Sequence, residues 1–322
     1  MIDVVALGEI LIDFTPAGKN AQGINLLTQN PGGAPANVLA MVSRLGGKTA
    51  FVGKVGRDTF GTFLCSVLAE HGIDVSGLRF DDTAHTTLAF VHLNERGDRS
   101  FSFFRDPGAD QMLTVKELPM ELLDNCRVFH FGSVSLTHEP SRGATLFAAE
   151  YAKKQGKLIS FDPNYRAMLW DSEEKALEQI KQGIAIADIL KVSEEEAQLI
   201  TGDADPAGAS QKLLNMGPAF VLVSLGELGA YYRNHACSGH VPAYTVHAVD
   251  TTGAGDAFAG AFLWNVRDMM REELAFMSPV QAQEIVRFAN AAGALTTTGS
   301  GAIPAMPGLK EIRACISGKG VL

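Results

Sequence analysis

Short runs dominated by apolar residues alternate along the chain with longer stretches whose apolar residues recur at helical spacing. The short runs are Val4–Leu7, Thr49–Val52, Val128–Phe131, Leu158–Phe161, Ile189–Val192 and Val221–Ser224. Their continuous apolar character, rather than a strict in–out alternation, predicts strands covered on both faces. The longer stretches Ala36–Leu45, Phe60–His71, Ser141–Gln155, Ser172–Ile186 and Ala207–Met216 predict helices between them. Pro35 suits a helix start, where its missing N–H has no helical partner, and Gly46 and Gly72 suit helix ends. The C-terminal third, over Gly253–Val266 and Ser278–Thr298, reads as mostly helical. Strands alternating with helices predict an α/β domain built on a mostly parallel sheet.

Two stretches depart from this rhythm. Leu11–Leu27, and Thr86–Leu93 together with Arg99–Phe104, read as antiparallel strands, the latter pair joined through the turn-rich Asn94-Glu95-Arg96-Gly97-Asp98. Both strands of that pair carry apolar residues on more than one face. Either they pack on their own domain or they meet a second copy of the chain. No internal repeat or low-complexity segment interrupts the pattern.

A chain of 322 residues can bury a large core, and 46% hydrophobic with 20% charged residues is a globular composition. The net charge of −9, with no local block of Lys and Arg, argues against a nucleic-acid partner. An anionic small substrate is not excluded, because a few placed cations and N–H groups suffice for one. Cys65, Cys126, Cys237 and Cys315 are scattered and form no Cys-x-x-Cys pair, which suits reduced thiols rather than disulfides or zinc. Asp3 and Glu9 interrupt the apolar N-terminal stretch, so it does not read as a signal peptide. No apolar run approaches the roughly 18 residues of a spanning helix. A soluble, cytoplasmic protein without membrane partners is expected.

The chemistry concentrates in Asp250-Thr251-Thr252-Gly253-Ala254-Gly255-Asp256, which leads straight into the apolar Ala257-Phe258-Ala259-Gly260-Ala261-Phe262. A glycine-flanked loop opening a helix presents unpaired N–H groups and the positive end of the helix dipole, a ready site for phosphate. Asp256 in the first turn is then placed as a general base for phosphoryl transfer to an alcohol. Taken alone, an acid there is equally ordinary dipole compensation. A dinucleotide fingerprint is excluded because Phe258 stands where the third glycine belongs, and a Walker A motif before Gly47-Lys48-Thr49 is excluded by Val42.

A second segment, Gly32-Gly33-Ala34-Pro35-Ala36-Asn37 running on to Arg44-Leu45-Gly46-Gly47, lies about 210 residues upstream. Together the two stretches resemble the signatures of the ribokinase-like (PfkB) carbohydrate kinases. The resemblance extends from Gly8-Glu9-Ile10-Leu11-Ile12-Asp13 to the region of Ala289–Gly301. Within the family, Phe103-Phe104-Arg105-Asp106-Pro107-Gly108-Ala109-Asp110 and Asp162-Pro163-Asn164-Tyr165-Arg166 are most similar to bacterial and plant fructokinases. The resemblance implies a three-layer α/β fold, a single kinase domain over residues 1–322. A small β lid would be inserted from about residues 11–30 and 86–105, and a homodimer would form through that lid.

It also implies ATP-dependent phosphorylation of fructose to fructose 6-phosphate, with ATP and Mg²⁺ required and K⁺ a further candidate. Asp256 would be the base, with the backbone N–H groups of Gly253, Ala254, Gly255 and Asp256 as the anion hole. Asp13 would bind sugar hydroxyls, although without the resemblance it is equally a strand-end acid in solvent. Gly32 and Gly33 would let backbone approach the sugar, and Asn37 would offer a donor and an acceptor. Arg105 would reach the sugar or its phosphate, and Arg166 the phosphate region. Lys191, Ser193 and Glu196 match a segment in which the acid organises magnesium through water; Ser193 stands where Asn is usual, leaving Glu196 as the carrier. Ser224, Gly226 and Gly229 would surround the nucleotide, with Asn290 beside the adenine. Asp250 and Thr252, with backbone near Gly301, match a potassium site, though Ala305 lacks the hydroxyl some relatives offer there. Kinases for 2-keto-3-deoxygluconate, aminoimidazole riboside or other nucleosides stay open as alternatives, as does a non-catalytic sugar-binding regulator.

Overall fold

The apolar runs become the strands of one large sheet because successive side chains point to opposite, covered faces. In β1 (Ile2–Leu7), Val4 and Ala6 enter one core while Val5 and Leu7 enter the other, all essentially inaccessible. The structure, a computed structural model, describes residues 1–93 and 99–318. In chain order the further strands are β2 (Leu11–Lys19), β3 (Asn25–Gly32), β4 (Thr49–Gly56), β5 (Ile73–Asp81), β6 (Leu88–Leu93) and β7 (Arg99–Phe104). Then follow β8 (Cys126–Gly132), β9 (Leu158–Asp162), β10 (Ile189–Ser193), β11 (Phe220–Ser224), β12 (Ala230–Asn234) and β13 (Ser238–Val241). Among the described residues the main sheet runs β13-β12-β11-β10-β9-β8-β1-β4-β5, parallel from β11 to β5 and antiparallel only at β12 and β13.

The helices are α1 (Ala34–Arg44), α2 (Thr59–Glu70), α3 (Met120–Asp124), α4 (Ser141–Lys154), α5 (Glu173–Ile186) and α6 (Glu194–Thr201). They continue with α7 (Pro206–Leu214), α8 (Ala254–Val266), α9 (Arg271–Ala275), α10 (Pro279–Thr296) and α11 (Leu309–Ile316). Leu39, Phe262 and Val286 of α1, α8 and α10 pack with Val4, Phe51 and Leu222 on one face of the sheet. Ala148, Ile180 and Leu213 of α4, α5 and α7 pack with Val5, Phe129 and Val221 on the other. The result is the expected three-layer architecture. Among the described residues no helix is long and apolar enough to cross a membrane, and the four cysteines are free.

Three strands of the main sheet lie outside the expected set: the two edge strands, β5 and β13, and β12 beside the latter. β5, β12 and β13 mix polar with apolar residues because each is only partly buried, with intermediate or exposed positions interrupting the buried ones. The stretch expected as Leu11–Leu27 is two strands: Asn20 breaks it by accepting from the backbone N–H groups of Gln22 and Ile24, and β3 continues to Gly32.

A second sheet, ordered β3-β2-β6-β7, covers one end of the first. β2/β3 and β6/β7 pair antiparallel, as expected, and β2 lies parallel to β6. The turn expected at Asn94–Asp98 falls outside the described residues. Phe14 of β2 stacks on Phe90 of β6 at 5.0 Å and meets Phe60 of α2 edge-on at 5.9 Å. Part of the sheet's two-faced apolar character is therefore satisfied within the chain. Ile24, Leu26, Leu27 and Phe104 remain exposed.

Helices α1 and α8 approach each other closely at Gly260. A Cβ on Gly260 would meet the Val38 carbonyl oxygen at 2.6 Å and Met41 Cβ at 2.7 Å. Gly260→Ala is expected to overpack this contact and destabilise the fold by about 1–3 kcal/mol. A lowered midpoint in thermal denaturation would register it, and an unchanged midpoint would show that the helices separate without cost.

Candidate active site

The N-terminus of α8 is built around glycine. Gly253, the residue preceding the helix, has φ 78°, and a Cβ on it would meet Ala302 Cβ at 2.5 Å, so both its conformation and its surroundings select glycine. No side chain caps the helix. Ala254 N–H turns back to the Thr251 carbonyl at 3.3 Å, and the rest of the first turn, Gly255-Asp256, offers its backbone N–H groups at the positive helix end.

Asp256 is buried at this end. Its Oδ2 accepts from Asn37 Nδ2 at 2.8 Å, linking α8 to α1 across 219 residues of sequence. A longer contact of 3.5 Å runs from Asn164 Nδ2 to Oδ1. Burial pushes the Asp256 carboxyl up to about 6, against the pull of the Asn37 hydrogen bond. It remains mostly ionised at neutral pH, close to the value that suits a general base.

Beneath the first turn lies Lys191 from β10. A Cβ on Gly255 would come 3.1 Å from its Nζ, so the glycine leaves room for the ammonium. Lys191 Nζ pairs with Asp162 Oδ2 at 2.9 Å, and both are buried. Burial alone would lower its pKa, but Asp162, Glu196 and Asp256 outweigh this and hold it above the ordinary value. Ser193 and Glu196 form a capping box on α6: Ser193 Oγ accepts from Glu196 N–H and Glu196 Oε2 accepts from Ser193 N–H. Glu196 Oε1 also accepts from Tyr165 N–H at 2.6 Å, which fixes the loop carrying Asn164 and Arg166. Burial first and Asp162 second raise the Glu196 pKa.

A cavity of about 320 Å³ opens on Asp256 below the second sheet. Asp13, Gly33, Asn37, Arg166 and Lys191 line it, with Glu9, which the sequence reading had not singled out. Asp13 is pushed up to about 6 by burial, partly offset by Arg166. A Cβ on Gly32 would overlap Asp13 Oδ2 at 2.0 Å, and Gly33, at φ 120°, lies against the Glu9 carbonyl. These two glycines thus make space for the carboxylate and the chain path as much as for a ligand. Glu9 Oε1 accepts from Ala34 N–H at 3.1 Å, while burial raises the group to about 7. Its signal in the sequence was an acid at the end of an apolar run. Asn164, the other residue not singled out, has φ 45°, a conformation that favours asparagine over most side chains.

Arg105, expected to reach the sugar or its phosphate, is held by contacts within the chain. Its guanidinium turns inward: Nε and Nη2 reach Asp110 Oδ2 at 2.8 and 2.6 Å, Nη1 donates to Thr137 and Nη2 to the Val134 carbonyl. It is not among the residues lining the cavity.

A second cavity, of about 620 Å³, lies across α8 and is lined by Ser224, Gly226, Gly229, Phe258 and Asn290. Thr251 and Gly255 line both cavities, so the two meet at the α8 N-terminus. Asn290 Nδ2 donates to the carbonyls of Val241 and Pro242, fixing the wall where β13 ends. Gly229, at φ 102°, passes so close to the Val241 carbonyl that a Cβ would overlap it at 2.2 Å. Asp250 Oδ1 accepts from Thr252 N–H and Oγ1, and its Oδ2 accepts from Gly301 N–H, which ties the two loops beside α8 together.

Comparison with known proteins shows the family to which this fold belongs. The pfkB family carbohydrate kinase pattern matches residues 1–308. Fructokinase-1 of Zea mays is 46% identical over 312 residues, spanning 96% of each chain. A fructokinase from Xylella fastidiosa, solved with bound ATP, superposes with a TM-score of 0.91 at 34% identity over 99% of both chains. A fructokinase from Vibrio cholerae O395, in its fructose-, ADP- and calcium-bound form, gives 0.86 at 34% identity over 97% of this chain and 98% of its own. The chain belongs to the pfkB family of carbohydrate kinases.

The buried Asp256 carboxyl has a stability consequence. Its folded value of about 6 lies above the ordinary 3.8, so the fold takes up a proton between these limits and loses stability as pH rises through them. Asp256→Asn removes the charge while Asn37 keeps an acceptor. It is expected to stabilise the unliganded protein by about 1–3 kcal/mol at pH 8 and by much less near pH 4. Thermal denaturation at both pH values checks this, and an equal shift at the two would contradict the buried-charge account.

Proposed function

We propose that the chain is an ATP-dependent fructokinase, transferring the γ-phosphoryl group of ATP to the 6-hydroxyl of fructose. The observation that carries this is the position of Asp256: a buried carboxylate at an uncapped helix N-terminus, where the two cavities meet. The larger cavity has the size and the glycine-rich wall for a nucleotide, and the smaller one has the size and polar lining for a monosaccharide. Asp256 accepts the proton of the 6-hydroxyl as the oxygen attacks phosphorus in line, the bond from phosphorus to ADP breaks, and ADP departs. Backbone N–H groups at Gly253–Asp256, with Lys191 beneath them, stabilise charge on the transferring group. Asn37 holds Asp256 in orientation. Asp13 and Asn37 take sugar hydroxyls, and closure of the second sheet excludes water.

Charge supports a neutral acceptor. Glu9, Asp13 and Asp256 line the cavity, while Lys191 is paired with Asp162 and Arg105 with Asp110. Arg166 also lines the cavity, and among the described residues no carboxylate lies in salt-bridge range of it. A carboxylated sugar would meet Asp13 and Glu9.

Glu196 accepts from two backbone N–H groups, so direct coordination would disturb its cap. Magnesium fits as an ion carried by the nucleotide phosphates, with Glu196 and Asp162 acting through water. It would supply neutralisation of phosphate charge. Asp250 and Thr252 remain the candidate position for potassium. We read residues 1–322 as one kinase domain with its lid inserted, working in the cytoplasm. The exposed Ile24, Leu26, Leu27 and Phe104 support a homodimer through the lid.

ATP consumption at equal concentrations of fructose, 2-keto-3-deoxygluconate, ribose and aminoimidazole riboside tests the substrate. Fructose is expected to lead, and Asp256→Asn to lower turnover by about 10²–10⁴-fold. Full turnover in a folded Asp256→Asn protein would remove Asp256 from the mechanism. Because Asp13 and Asp256 must both be ionised, kcat/KM is expected to fall as pH drops below about 6. A flat profile down to pH 4 would contradict those roles.

A further inference from the structure

Chain enters the second sheet through Thr87 and leaves it through Arg105, and both residues are held by one side chain. Thr87 Oγ1 donates to Asp110 Oδ1 at 2.5 Å, and Arg105 donates to Asp110 Oδ2 from Nε at 2.8 Å, with Nη2 at 2.6 Å from the same oxygen. Asp110 lies in the short helical turn Ala109–Met112, outside the sheet, and its side chain is only 2% exposed. Leu88 pairs with Phe104, so Thr87 and Arg105 form the base of the β6/β7 hairpin. Gly108 is required here, since a Cβ on it would overlap Thr87 Oγ1 at 2.0 Å and crowd Asp110 Oδ1 at 2.6 Å.

The surroundings of this clasp are anchored to the main body. One residue earlier, Thr86 is fixed by Asp58, the cap of α2, through its N–H at 2.9 Å and its hydroxyl at 2.8 Å. On the other side Arg105 reaches Thr137 and the carbonyl of Val134, and Val134 lines the acceptor cavity. The Thr87 carbonyl in turn accepts from Ile12 N–H, which passes the same anchor to β2 and its neighbour Asp13. One buried carboxylate therefore joins both connections of the hairpin to the floor of the sugar cavity.

We propose that Asp110 is a positioning residue for the reaction: its clasp on Thr87 and Arg105 sets the lid over the acceptor, and Arg105 serves this clasp rather than the sugar itself. The inference rests on the reading that the cavity below the lid holds the acceptor. A lid released at its base leaves the nucleotide cavity intact while the acceptor loses the surface that orients it and keeps water out.

The test uses the full chain and whichever sugar the wild type turns over fastest, so an error in the fructose assignment does not affect it. Absence of sugar-dependent turnover in the wild type would count against the kinase reading itself. Asp110→Ala is expected to raise KM for the sugar about tenfold or more, leave KM for ATP within about twofold, and increase ATP hydrolysis without sugar relative to sugar phosphorylation. Asp110→Asn, which can still accept from Arg105 and donate to Thr87, is expected to restore most of the sugar KM. Thr87→Val breaks only the first connection and is expected to move the same two readouts in the same direction by a smaller factor. It also carries the test if Asp110→Ala does not fold. Parallel increases in both KM values, or an unchanged sugar KM in folded Thr87→Val, would overturn the proposal.

Discussion

The arrangement depends on keeping one carboxylate charged where water has been removed. Burial raises the cost of the Asp256 charge, and among the described residues no cation forms a salt bridge with it; what offsets the cost is spread over its surroundings. Asn37 donates one hydrogen bond, the first turn of α8 contributes its dipole, and Lys191 and Arg166 act at a distance. A direct salt bridge would have held the carboxylate ionised far more firmly and drawn its pKa down. Lys191 instead spends its short contact on Asp162. The protein thus divides the charges into a tight pair, Lys191 with Asp162, and a carboxylate, Asp256, held more loosely.

That division explains why so many local features are glycine. Gly253 supplies the backbone conformation that opens α8, Gly255 admits Lys191 beneath it, and Gly32 clears Asp13. Gly32 and Gly255 are selected by the room a neighbouring polar group needs, and Gly253 by its backbone conformation and the closeness of Ala302. The same residues would suit close approach of a ligand, so the two demands coincide on the same positions.

Much of this was legible in the sequence, and the parts that were not have physical reasons. The central strands announced themselves because burial on both faces demands continuous apolar runs; β5, β12 and β13, at or next to the sheet edges and only partly buried, carried a weaker pattern. The motif before α8 could be read as an anion site because glycine and a first-turn acid are local signals. Arg105 could not be placed that way. Its direction is set by Asp110, Thr137 and Val134, contacts that arise only after folding. Glu9 was hidden for the opposite reason: a lone acid after an apolar strand has many explanations, and only the cavity shows which one it shares.

The parallel pairing of β2 with β6 has a consequence for how the protein is assembled. Ile12 lies beside Leu88 and Phe14 beside Phe90, so the small sheet is stitched from two hairpins far apart in the chain, each tethered to the main body at both ends. Neither hairpin has the sequence-local contacts that would let the pair form early, because loop closure between them is costly until the intervening α1, β4 and α2 are in place. The cover over the site is therefore a late product of folding and inherits its register from the body beneath. It is not a cassette: grafting one hairpin from a relative would bring in only half of a seam whose other half is written about 75 residues away.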